Sequence, residues 1–209
     1  MNILAFESSC DETAAAVVRD GRTVLSDAIL SQADMHALYG GVVPEIASRK
    51  HVEAIAGLSD QALREAGLTR RDIDAVAVTY APGLIGAVLV GVSFAKSAAY
   101  ALGVPLIPVH HVRGHIAANY LAFPELEPPF LALAMSGGNT LIVDVKGYTD
   151  MEVLGAYPGT TRQGSASTRP PGCWACRTPA GSPWTSWLPG PPAGNTSCPG
   201  PMWRVRPWI

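Results

Sequence analysis

ILAFESSCDETAAAVVRDG (residues 3–21) and FLALAMSGGNTLIVDVKG (residues 130–147) carry one pattern twice. Each is an apolar strand, a polar turn containing Ser, a Thr, a second apolar strand and a charged end closed by Gly. A repeat of this kind can fix an architecture. Two similar α/β lobes would set the two Ser/Gly/Thr turns across a cleft, where backbone N–H groups could hold phosphate. Two ordinary hairpins would read the same way.

Working outward from the first copy, Asn2–Ser8 and Ala14–Arg19 read as strands, and Asp20-Gly21 as a two-residue hairpin turn into a strand at Thr23–Ile29. After Gly40-Gly41-Val42-Val43, Pro44 suits the first turn of a helix. Ile46, Val52, Ile55, Ala56, Leu58, Leu63 and Ala66 then recur at helical spacing up to a stop at Gly67. Ile73–Tyr80 is a buried strand, Ala81–Gly86 a Gly-rich turn, Ala87–Leu102 a small-residue helix stopped by Gly103, and Pro105–Val109 a strand. A short helix follows over Val112–Leu121. The second copy predicts strands at Phe130–Ser136 and Leu141–Lys146, joined by a tight turn.

Composition breaks near residue 162. Apolar residues make up 48% of the chain, enough for a sizeable core. The overall charge of −2 conceals 11 basic and 17 acidic residues in 1–162, and four Arg with no Asp, Glu or Lys in 163–209. The acidic balance of the first part gives no electrostatic argument for nucleic-acid binding. All five Trp and ten of the 18 Pro lie in the tail, whose only branched aliphatic residues are Leu188, Val205 and Ile209. Neither helical nor strand period survives there. Cys173-Trp174-Ala175-Cys176 is a C-x-x-C without the second pair a zinc site needs. No apolar run is long enough to span a bilayer, and the N-terminus lacks signal-peptide features, so a cytoplasmic location is expected.

Several residue groups could carry chemistry. His111 and His115 stand at i and i+4. On a helix they share a face and could grip one metal, or serve as structural histidines. This is not H-E-x-x-H, so the zinc-peptidase base is absent. His110 reads as a strand-end residue. Asp11 and Glu12 at a hairpin tip could bind a cation, orient a nucleophile, or form a solvated turn. Ser136-Gly137-Gly138 allows close backbone approach to a ligand, or is a hairpin signal. Arg49-Lys50-His51 could meet a phosphate-rich partner, or form a solvated basic face.

ESSCDETAAAVV, GGVVPEIASRKHVE, APGLIGAVLVGVSFAKSAA, HHVRGHIAAN and MSGGNTLIV occur in order across residues 1–162. Together they resemble the signatures of the bacterial tRNA N6-adenosine threonylcarbamoyltransferase family, formerly described as glycoproteases. The resemblance implies an α/β, actin/sugar-kinase-type (ribonuclease H-like) fold. Its duplicated lobes would lie at 1–128 and, incompletely, 129–162, with an aberrant tail at 163–209. It implies transfer of threonylcarbamoyl from threonylcarbamoyl-adenylate to N6 of the adenosine beside the anticodon in tRNA. His111 and His115 match the family's metal pair, for iron(II) or zinc, with a third ligand, an Asp, lying beyond this sequence. Ala134, Met135, Ser136, Gly137 and Gly138 match the donor-binding segment, and Asp11 and Glu12 the acidic turn near the reacting centre. Implied partners are tRNA, a one-lobe paralogue that dimerises through the first lobe, and a small P-loop ATPase. The alternatives are a non-catalytic one-lobe dimerisation partner and a metallopeptidase.

The resemblance stops after Gly159-Thr160-Thr161-Arg162. Reading G+C-rich codons from the third base of codon 162 recovers a family-like AGERIDKAARVLGLPYPGG. Trp174-Ala175 forces Gly in that frame and Trp184-Thr185 forces Asp. A reading-frame shift is therefore expected, with little transferase activity in the isolated chain and apolar faces left uncovered on the strands of 130–146. The DNA around codon 162 decides the point.

Overall fold

The computed structural model describes residues 1–135 and 139–158. The chain divides into two compact units, Met1–Leu126 and Glu127–Ile209. The tail, its C-x-x-C pair and Ser136-Gly137-Gly138 lie outside the described residues.

The first unit is a five-stranded mixed sheet of order β3-β2-β1-β4-β5. Its strands are β1 (Asn2–Glu7), β2 (Glu12–Arg19), β3 (Thr23–Ser31), β4 (Ala75–Ala81) and β5 (Leu106–His110). β1, β2 and β3 form an antiparallel meander, while β1, β4 and β5 run parallel. Asp20 and Gly21 have φ of 53° and 70°. Two successive positive φ values make the primed hairpin turn whose twist matches the flanking strands.

Helix α1 (Ala33–Ala37) follows β3, and α2 (Pro44–Glu65) follows a glycine loop. Pro44 occupies the first turn of α2 as expected. Ala47, His51, Ile55, Leu58 and Ala62 form the buried stripe of α2, which packs on β2 and β3. Helix α3 (Ile85–Leu102) buries Ala87, Gly91, Ala95 and Ala99, one every fourth residue. This strip of small side chains brings the helix close to its neighbours. A Cβ on Gly91 would lie 2.3 Å from Ser8 Oγ, and one on Gly86 2.5 Å from Ser48 Oγ. Gly103, at φ 68°, closes the helix in the left-handed conformation. Leu4, Phe6, Val17, Ile55, Val76 and Val78 fill the core beneath α2 and α3, where Phe6 meets Phe94 edge-on at 5.2 Å.

Helix α3 corrects one expectation. Its 18 residues and mean hydropathy of 1.6 match a membrane-crossing helix in length and composition. Lys96 interrupts the apolar run in the sequence, yet one cation leaves the average high. Here the helix packs on β4 and against α2.

After β5 come α4 (His111–Ala117) and α5 (Asn119–Ala122), where the sequence predicts one short helix. The second unit is an antiparallel meander of β6 (Phe130–Met135), β7 (Asn139–Val145) and β8 (Met151–Pro158). Val143, Val145 and Val153 are buried in it, whereas Leu131, Leu133 and Met135 of β6 are exposed.

Candidate functional site

Strand alternation sends Leu4 and Phe6 of β1 into the core, and Ala5 and Glu7 to the opposite face. That face is lined by Ala5, Ala14, Ala16 and Ala77 and holds a hollow of about 180 Å³, with Glu7 and Thr79 among its walls. The carboxyl ends of parallel strands are where open α/β sheets place ligands. Glu7 ends β1, Thr79 lies near the end of β4, and His111 opens α4 directly after β5.

These residues touch. Glu7 Oε2 lies 3.1 Å from His111 Nδ1, and Ser9 Oγ approaches the same nitrogen at 3.1 Å. Ser9 N–H donates to Glu7 Oε1 at 2.5 Å. Burial works to raise the Glu7 carboxyl, but hydrogen bonds from His111, Thr79 and Ser9 outweigh it and hold the group at about 2. Glu7 is therefore ionised at neutral pH.

The other side of the His111 ring faces His115. Their Nε2 atoms are 3.0 Å apart, with ring centroids at 4.4 Å and planes at 79°. Burial, then the neighbouring His111, lowers the pKa of His115, while Glu7 pulls the other way. Two imidazoles whose Nε2 atoms lie this close can supply two of the four ligands of a tetrahedral metal shell. A divalent metal fits this donor set, with Glu7 in the outer position that orients a ligating histidine. Among the described residues, no third His, Cys, Asp or Glu joins them in a metal-holding group.

The acidic turn is held from its other side by His51. Its Nε2–H donates to the Cys10 carbonyl at 3.0 Å, which leaves Nδ1 to accept from Thr13 Oγ1 at 2.7 Å. Gln32 N–H donates to the Asp11 carbonyl at 3.0 Å. Gln32 Oε1 in turn meets His36 Nε2 at 3.2 Å. His51 and Thr13 have no exposed surface. Asp11 is half-buried and Glu12 exposed. Burial, then Asp11, raises the Cys10 thiol to about 11.

The sequence of residues 23–160 matches the model of the tRNA N6-adenosine threonylcarbamoyltransferase family. The chain belongs to this family. The transferase of that name from Clostridium novyi (strain NT) is 59% identical over 155 residues, which are 74% of this chain and 46% of that protein. The one from Clostridium kluyveri (strain ATCC 8527) is 57% identical over 155 residues, with the same coverage. The chain thus spans just under half the length of these curated relatives. Among solved structures, YeaZ from Pseudomonas aeruginosa superposes with a TM-score of 0.50 at 18% identity, covering 75% of this chain and 66% of that one. This last likeness shows the fold, the actin-like α/β class expected from the sequence. The family match ends at residue 160, beside the break in composition.

Within this member of the family, one sequence reading is overturned. Arg49, Lys50 and His51 do not form one basic face. Arg49 pairs with Glu45 at 2.8 Å and Lys50 with Glu53 at 2.6 Å, both on the surface, while His51 is buried. Successive helical residues point about 100° apart, so three adjacent positions cannot share a face. His110 does end β5, as read. Ala134 and Met135 lie on β6 in the second unit. His111 and His115 converge, and the turn of Asp11 and Glu12 is tied to them through Glu7 and Ser9. Glu7 and Ser9 were missed as site residues. A carboxylate on the alanine-lined face of a strand, beside two serines, was the available signal.

Proposed function

We propose that this chain carries the metal-binding half of a tRNA N6-adenosine threonylcarbamoyltransferase. The reaction moves threonylcarbamoyl from threonylcarbamoyl-adenylate to N6 of the adenosine adjacent to the anticodon. The observation that carries the reading is the convergence of His111 and His115 Nε2 at 3.0 Å, with Glu7 behind His111, in a segment that matches the family.

His111 and His115 hold iron(II) or zinc, with a third ligand from outside the described residues. When bound, the metal supplies Lewis acidity toward the carbamoyl carbonyl or the adenylate leaving group. Asp11 and Glu12 belong to a turn anchored on both sides, and a carboxylate there accepts the proton lost by the attacking N6 amine. Ala134 and Met135, with Ser136, Gly137 and Gly138, bind the adenylate donor. The partners are tRNA, a small P-loop ATPase and a one-lobe paralogue. The exposed apolar row Ile85, Leu89 and Tyr100 on α3 supports docking of the paralogue on the first unit.

The test is a chimera that joins residues 1–160 to the remaining sequence of the Clostridium novyi relative. Incorporation of labelled threonylcarbamoyl into tRNA is measured with purified donor and partners. The chimera is expected to transfer, and H111A and H115A to lose transfer. A chimera that transfers equally well without both histidines refutes the assignment.

A further inference from the structure

We propose that Glu7 is a positioning residue that presets the tautomer of His111, leaving its Nε2 lone pair free for a metal. This rests on the reading of His111 and His115 as metal ligands.

The argument is one of donors and acceptors. Glu7 Oε1 already accepts from the Ser9 backbone N–H at 2.5 Å. An ionised carboxylate only accepts, so the His111 nitrogen 3.1 Å from Oε2 must carry its proton. In its neutral form, the one that can bind a metal, the His111 ring holds one N–H, so Nε2 is left as a lone pair. Ser9 Oγ, 3.1 Å from the same Nδ1, is a hydroxyl that can also accept and so is compatible with that choice. Among the described residues, no carboxylate bonds the far nitrogen of His115 in this way. In the metal-free chain its Nε2–H donates to His111 Nε2 across 3.0 Å. The two histidines thus differ in kind: His111 is fixed before metal arrives, and His115 must move its proton. Outer-sphere carboxylates of this kind both orient a ligating imidazole and raise its basicity.

Glu7→Gln makes a sharp test because it conserves shape. The Ser9 N–H keeps the side-chain carbonyl oxygen on its side. The amide NH2 then faces His111 Nδ1 and can only donate. Nδ1 becomes the acceptor and the proton moves to Nε2, where it opposes metal binding.

The experiment uses the full 209-residue chain, as wild type, E7Q and E7A. Long-range proton–nitrogen correlation spectra of 15N-histidine-labelled protein read the His111 tautomer without metal, with H111A for assignment. Zinc(II) titration followed by the same resonances and by calorimetry reads the affinity. The expected result is Nδ1–H on His111 in wild type, Nε2–H in E7Q, and zinc binding weakened about 10–100-fold in both variants. Equal circular-dichroism melts for wild type and E7Q show that the fold is kept. Wild-type His111 carrying its proton on Nε2, or a tautomer unchanged in E7Q, overturns the inference. If zinc binds the two histidines of wild type but E7Q binds within twofold, the inference fails while the metal reading stands. If zinc leaves the His111 and His115 resonances of wild type unmoved, the metal reading itself fails.

Discussion

Replacing His51 by Ala removes a buried ring that holds two nitrogens in hydrogen bonds. The Cys10 carbonyl loses its donor at 3.0 Å, and the Thr13 hydroxyl loses its acceptor at 2.7 Å. Each buried group left without a partner costs about 1–3 kcal/mol. The void left by the ring adds the lost packing of a fully buried side chain. Together these give a destabilisation of about 3–5 kcal/mol, allowing for partial relaxation of the turn. Arg49→Ala and Lys50→Ala remove exposed ion pairs to Glu45 and Glu53 and should each change stability by no more than about 0.5 kcal/mol. The assay is urea unfolding followed by far-ultraviolet circular dichroism. With a slope of about 2 kcal/mol per molar urea, the H51A midpoint falls by roughly 2 M and those of the neighbours barely move. Amide exchange adds a local readout. The Gln32 amide, bonded to the Asp11 carbonyl, should exchange faster in H51A because the turn it holds has lost its anchor. A midpoint for H51A within about 0.3 M of wild type, or one matched by R49A, would refute the account of His51 as the turn's anchor.

Cys10, raised to about 11 from an ordinary 9.0, should react with iodoacetamide at pH 8 about tenfold more slowly than a free thiol, because its smaller thiolate fraction outweighs the greater nucleophilicity of a more basic thiolate. Asp11→Asn removes a charge that disfavours the thiolate and should speed the reaction, as read by peptide mass mapping. Gly83→Ala places a Cβ 2.6 Å from the Ser9 carbonyl oxygen and 2.7 Å from both Ser9 Cβ and Val88 Cγ2. Backbone cannot yield there as a side chain would, so a loss of about 1–3 kcal/mol is expected in urea unfolding. Tyr100→Glu, at a position 91% exposed, should leave the urea midpoint in place but weaken association with the paralogue, measured by analytical ultracentrifugation. Ser9→Ala removes the neutral hydrogen-bond partner at His111 Nδ1 and keeps Glu7. Since charge-assisted hydrogen bonds are about twice as strong as neutral ones, zinc affinity should fall less than in E7Q.

Much of the first unit was legible because its elements obey simple periods. Pro44, the helical spacing beyond it and Gly67 marked α2 close to its observed limits. Helix α1 and strand β8 escaped for physical reasons. Helix α1 is five residues long, too short for any period to repeat. Strand β8 carries Gly155 in its interior and Leu154 on its exposed side. The register of β7 against it shifts between Ile142 and Val143, opposite that glycine. A bulge with a glycine breaks the alternation that marks a strand.

The candidate site was legible in its histidine pair and hidden in its supports. The i, i+4 spacing of His111 and His115 announced a shared face, and α4 delivers it. His51 was hidden by its neighbours. Read as Arg49-Lys50-His51 it belongs to a charged block, but read at intervals of four it belongs with Ala47 and Ile55, the buried stripe. Glu7 was hidden in the opposite way, absorbed into an apolar strand although alternation sets it apart from Leu4 and Phe6. Both residues act on the turn between β1 and β2, from opposite sides. His51 binds the Cys10 carbonyl and Thr13 on the helix side, and Glu7 binds Ser9 and His111 on the sheet side. A turn clamped in this way keeps Asp11 and Glu12 in fixed relation to the histidine pair, which it meets through Ser9. Asp11, Glu12 and the two histidines then form one constellation even though they come from different elements, the pre-organisation that the proposed reaction would require.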